Sequence, residues 1–135
     1  MNFHQLHPVA LACICILGVL LFGLGLAVSI ARGKYKQLVG SPSDTDCRLN
    51  RVVRAHGNTA EYAPFLALLF VLHGASQPGT LVLWLMAIAT AARVLLVAGL
   101  LTAKTLSRPS PLRFAGAATT YAVGVWLSVL LVTAG

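Results

Sequence analysis

The chain has 135 residues, enough for one domain spanning 1–135, and 58% of them are hydrophobic while only 10% are charged. Its apolar runs reach the roughly 20 residues needed to cross about 30 Å of hydrocarbon, which excludes a water-soluble globular fold and indicates an integral membrane protein. The formal charge of +7 would point to nucleic acid in a soluble chain, but here the basic residues border the apolar runs, which argues against that partner.

The segment before Pro8 has no Lys or Arg. The apolar run that follows, over 8–31, is longer than a signal-peptide core, so it is expected to be a retained spanning helix. Gly23, Ala27 and Ala31 repeat every four residues and suggest a close-packing face. Cations follow at Arg32, Lys34 and Lys36, and then the turn-forming segment Gly40-Ser-Pro-Ser-Asp-Thr-Asp, in which Asp44 or Asp46 could cap the next helix. That helix is expected over 47–73, polar at first and apolar from Ala63, with a bend at Pro64, whose ring removes the backbone bond to residue 60. Gly74 to Gly79 reads as a short turn. A third span over 80–103 is interrupted only by Arg93, and a fourth covers 111–133, where Gly116, Thr120 and Gly124 again suggest close packing.

The expected architecture is therefore an all-α membrane protein, a four-transmembrane-helix bundle. Nine of the ten basic residues flank the first and third loops. The positive-inside rule then places those loops in the cytoplasm and both termini outside. Cys13, Cys15 and Cys47 cannot all pair within the chain, and no Cys/His group has zinc spacing, so no metal site is expected. His4, His7 and His73 read as interfacial residues, and Trp84 and Trp126 as packing or interface anchors.

Most of the strong polar chemistry lies in one stretch, Arg51-Val-Val-Arg54-Ala-His56-Gly-Asn58-Thr-Ala-Glu61-Tyr62. At about 100° per residue on a helix, Arg51, Arg54, Asn58, Glu61 and Tyr62 share one face, while His56 points elsewhere. A helix entering lipid should shed charge, because a charged side chain at the bilayer centre costs about 2.5 kcal/mol or more. Two readings stand. Glu61 could be neutralised by Arg93 or Arg54 as internal glue, with Arg93 the favoured structural partner. Alternatively, the stripe could grip a small zwitterionic peptide, with Arg54 on a carboxylate, Glu61 on an ammonium and Asn58 on an amide.

The run Arg51-x-x-Arg54-Ala-His56-Gly-Asn58-x-x-Glu61-Tyr62-x-Pro64 resembles the signature of the MAPEG family, the membrane-associated proteins in eicosanoid and glutathione metabolism. Arg93 and Gly99 in the third span and Arg108-x-x-Pro111 before the fourth are secondary matches. The chain departs from the family pattern at Asn50, where an acidic residue is usual, at Gly57, and at Leu96 and Leu100, where tyrosines are common. The resemblance implies a bacterial-type member in the inner membrane, a homotrimer, and glutathione held as cosubstrate in a crevice between subunits. By position it implies glutathione binding by Arg32, Arg51, Arg54, Asn58, Glu61, Tyr62 and Arg93, with His56 assisting. Arg108 corresponds to the arginine that activates the thiol, and Arg113 competes for that role. The implied function is a glutathione-dependent transferase or peroxidase acting on a lipophilic small molecule delivered through membrane lipid. Two alternatives are a proton-coupled four-helix transporter and a non-catalytic membrane interaction protein of the same fold.

Overall fold

The computed structural model describes residues 6–40, 43–44 and 46–133. Four helices follow in order: α1 (Pro8–Tyr35), α2 (Arg48–Gly74), α3 (Thr80–Thr102) and α4 (Pro111–Thr133). Of these, α1, α3 and α4 are long and apolar enough to cross a membrane. The polar first half of α2 lowers its hydropathy. At 27 residues it is nonetheless about 40 Å long, which matches its neighbours. His4, Ser41, Pro42 and Thr45 lie outside the described residues, so the interfacial reading of His4 and part of the expected turn lie there too.

Local chemistry sets the helix ends. The His7 imidazole caps α1 by accepting from the Val9 N–H at 3.2 Å, and Pro8 occupies the first turn, where its missing donor costs nothing. At the other end α1 continues past the expected stop at Ala31 through Arg32-Gly33-Lys34-Tyr35. Nothing there breaks the backbone, and cations in the last turn, Arg32 and Lys34, suit the negative end of the helix dipole. Lys36 stops it with φ 51°, in the left-handed region. Neither Asp44 nor Asp46 caps α2, as the sequence had suggested. The Asp44 carboxylate instead accepts from the Asp46 N–H at 2.9 Å, a local turn, and Cys47 takes the N-cap position without a side-chain bond. Through Pro64 the assigned helix is continuous.

Sequence neighbours form the tightest pairs, α1 with α2 and α3 with α4; α3 also meets α1 and α2, and the seam between α2 and α4 is thin. Two apolar clusters fill the bundle. The larger, including Ala10, Leu17, Phe70, Met86 and Leu127, occupies the end near both termini, and the smaller joins Leu24, Ala55, Leu96, Val97 and Leu100 towards the long loops. The hydrophobic exterior, for example Phe22, Phe114 and Val132 at 76–81% exposure, is the surface that lipid covers.

Small residues set the closest approaches, although not where the spacing first pointed. Gly23 faces outward with open space around it, so it is not a point of close approach within the chain. α1 instead meets α2 at Ala10, whose Cβ lies 2.7 Å from where a Gly74 Cβ would sit, and the His7 N–H bonds the Gly74 carbonyl at 3.1 Å. On α4, Gly116 packs on the α3 backbone, where an added Cβ would stand 2.8 Å from the Ala92 carbonyl oxygen. His73 is buried rather than interfacial: its Nε2 lies 2.9 Å from the Leu127 carbonyl oxygen and ties α2 to α4. Cys13, Cys15 and Cys47 are free thiols.

Candidate functional site

Between the two apolar clusters lies a polar layer centred on Arg93, which is 0% exposed. A guanidinium at that depth must find acceptors or it destabilises the fold. One Arg93 terminal nitrogen, Nη2, donates to the Asn58 backbone carbonyl at 2.9 Å and to Asn58 Oδ1 at 2.8 Å. The guanidinium carbon stands 5.4 Å from the centre of the Tyr62 ring, a cation–π contact, and Tyr62 in turn lies 5.3 Å from the Tyr121 ring at 48°. Arg93 Nε and Nη1 have no hydrogen-bond partner among the described residues. The expected pairing of Arg93 with Glu61 is therefore replaced. Asn58, one turn nearer the loops, takes the guanidinium, and Glu61 is exposed on the outer face of α2.

Arg54 and Asn58 on α2, Leu96 and Leu100 on α3, and Ser110, Arg113 and Phe114 around the start of α4 enclose a groove of about 270 Å³. An adjoining groove of about 250 Å³ shares Arg54 and Asn58 and adds Asn50, Gly57 and Glu61. Arg54, Asn58 and Glu61 thus form one continuous polar surface. Arg113 is held over the first groove by donating to the carbonyls of Leu106 at 3.4 Å and Arg108 at 3.2 Å. The Arg108 side chain is exposed and lines neither groove.

Three other residues expected at the glutathione site, Arg51, His56 and Arg32, diverge. An Arg51 nitrogen bonds the Ala103 carbonyl at the end of α3, and with Arg48 it lines a separate groove of about 270 Å³ against Leu24 and Ala27 of α1. His56 faces α1, its Nε2 lying 3.3 Å from where a Gly25 Cβ would sit. Arg32 folds onto the loop after α1, donating to the carbonyls of Gln37 at 3.4 Å and Gly40 at 3.0 Å. Within a single chain these three lie off the groove that holds Arg54 and Asn58.

Sequence reasoning missed the apolar half of the site. A cleft of about 630 Å³ opens between α2 and α4, walled by Tyr62, Phe65 and Leu69 on one side and Tyr121, Val125 and Val129 on the other. Its signal was present in the small residues of α4, which read as a uniform packing face. Gly116 and Thr120 do pack tightly, but Gly124 and Ser128 line the cleft, and the nearest atom to a Gly124 Cβ is Leu66 Cδ2 at 3.9 Å. Leu96 and Leu100, where tyrosines are common in the pattern, are the apolar wall of the polar groove.

No match to the chain was found among curated proteins or among solved structures. The model of the MAPEG family, in contrast, matches residues 10–133, which covers α2, α3 and α4, all of α1 but its first two residues, and every residue of the two polar grooves. With that match and a bundle of four helices carrying the signature on its second, this membrane-embedded chain belongs to the MAPEG family.

Proposed function

We propose that the protein is a glutathione-dependent transferase or peroxidase acting on lipophilic electrophiles. The observation that carries this reading is the convergence of Arg54, Asn58 and Arg113 on one groove with Glu61 beside it, a single helical turn from the apolar cleft that begins at Tyr62. The inventory suits a zwitterionic tripeptide: Arg54 takes a carboxylate, Glu61 the ammonium and Asn58 a peptide group. The electrophile enters from lipid along the cleft between α2 and α4.

Arg113 is the better-placed thiol activator. It lines the groove, whereas Arg108 contributes a carbonyl that steadies it. A free thiol titrates near 8.5, so lowering it by two units needs about 2.7 kcal/mol. One guanidinium at about 4 Å and an effective dielectric near 20 contributes about 4 kcal/mol. A single arginine is therefore sufficient without a general base.

We place the first and third loops in the cytoplasm and both termini outside, so that the grooves face the cytosolic glutathione pool. Self-association, with a homotrimer as the assembly, accounts for the outer face of α2, where Glu61 stands exposed beside Phe65 and Leu68 at 59% and 49% exposure. A lone carboxylate facing lipid is costly, so a second copy is the favourable cover. Arg32 and His56, which lie off the groove of their own chain, would then be free to serve a neighbour's. A carrier of lipophilic cations fits less well, because Arg54 shares the Glu61 groove and repels cations.

The test is calorimetry of glutathione binding to the detergent-purified protein, together with the ultraviolet thiolate band of the bound tripeptide at neutral pH. Saturable binding with a thiolate signal is expected. Absence of both overturns the reading.

A further inference from the structure

Asn58 is clamped from behind. Arg93 is 0% exposed, so it does not itself meet a ligand, yet its Nη2 bonds both the main-chain carbonyl and the side-chain oxygen of Asn58, at 2.9 and 2.8 Å. A guanidinium has five donors and no acceptor, so the amide edge turned towards it has to be Oδ1. The Nδ2 group, with its two hydrogens, is then turned away from Arg93. Asn58 lines both polar grooves, one with Arg54 and Arg113 and the other with Arg54 and Glu61.

From this geometry we infer that Arg93 is a positioning residue that makes Asn58 an obligate hydrogen-bond donor to the ligand. The position therefore accepts a carbonyl or carboxylate oxygen and rejects an amine. An unclamped asparagine on a half-buried helix face can present either end of its amide, and would discriminate between these groups poorly. The clamp removes that freedom, and the Tyr62 ring, 5.4 Å from the guanidinium carbon, holds the clamp itself in place. With Arg54 and Arg113 on the same groove, every charged or amide group there donates, and the acidic counterpart Glu61 is confined to the adjoining one. The two grooves thus sort the ligand's acceptors from its ammonium. The ligand's identity rests on the glutathione reading, but the orientation of the amide does not.

The experiment compares wild type, Asn58→Asp, Asn58→Ala, Arg93→Lys and Arg93→Met in detergent, with S-hexylglutathione as a probe that cannot react. Melting temperature and calorimetric affinity are both read. Asn58→Asp keeps the acceptor for Arg93 but has no donor for the ligand. It is expected to melt at or above the wild-type temperature while losing about tenfold or more in affinity. Arg93→Lys keeps a donor on Oδ1 and should bind better than Arg93→Met. If Asn58→Asp retains wild-type affinity, or melts as low as Asn58→Ala, the inference is overturned. If wild type fails to bind the probe, the glutathione reading falls. The order of melting temperatures among Asp, Asn and Ala at position 58 still decides whether Oδ1 faces Arg93.

Discussion

Arg113, in the first turn of α4, donates to the backbone carbonyl of Arg108 at 3.2 Å, so the cation of the third loop holds its neighbour through its main chain and not through its charge. The Arg108 side chain remains exposed. Replacing it with alanine leaves the carbonyl in place and should leave the thiolate band of bound glutathione intact. Arg113→Ala removes the guanidinium from the groove and should lower the thiolate population and kcat/KM by about 25-fold at pH 7, the fall in ionised fraction when the thiol returns from about 6.5 to about 8.5. Equal losses in the two variants would show that the side chain at 108 reaches the ligand.

Glu61 is expected to recognise the ligand's ammonium, because it is the only acidic residue on either polar groove among the described residues. Glu61→Gln should weaken glutathione binding by about tenfold, in the range of a hydrogen bond to a charged group. Binding of a glutathione analogue lacking the amino group should change little. Calorimetry with both ligands checks the difference, and an equal loss for both would remove Glu61 from ammonium recognition.

Filling the cleft between α2 and α4 should separate the two substrates. Gly124 has room for a side chain, since its nearest neighbour would be Leu66 Cδ2 at 3.9 Å. Gly124→Leu is expected to raise KM for a lipophilic electrophile severalfold while leaving the affinity for glutathione unchanged. Steady-state kinetics against the electrophile and direct binding of the tripeptide provide the comparison.

Two glycines offer a matched pair for stability. At Gly116 a Cβ would stand 2.8 Å from the Ala92 carbonyl oxygen and 2.9 Å from the Leu96 nitrogen, both backbone atoms that cannot step aside. Gly116→Ala should cost about 1–3 kcal/mol through forced separation of α3 and α4. At Gly23 no atom lies within 4 Å of the added methyl, and Gly23→Ala should be neutral or slightly stabilising. Thermal denaturation in detergent distinguishes them.

Helices α1, α3 and α4 were legible because membrane spans announce themselves by length and apolarity, α2 was legible from a polar stripe running into an apolar half, and the limits needed little revision beyond the end of α1. The polar stripe was legible as a pattern but not as a set of contacts. Rotation about α2 correctly grouped Arg54, Asn58 and Glu61, yet it could not say which neighbour each residue would meet. Arg51 shares that arc but is pulled to Ala103 by the carbonyls left unpaired where α3 ends. Arg93 was expected to seek a carboxylate, and the structure gives it an amide and a backbone oxygen, because Asn58 and not Glu61 faces α3. The cleft left a trace only in the small residues of α4, whose spacing does not tell a packed position such as Gly116 from an open one such as Gly124. It results from α2 and α4 failing to close on one another while α3 packs against both.

The pairing of sequence neighbours also bears on how the chain is made. Since α1 grips α2 and α3 grips α4, each pair forms a helical hairpin whose main partners are translated one after the other. The first hairpin can assemble in the bilayer before the second has left the ribosome, and the final step is one lateral docking across the α2–α3 and α1–α3 surfaces. A chain severed in the turn at 75–79 should accordingly regain its fold when the two halves are co-expressed, and co-purification of the fragments would register that recovery.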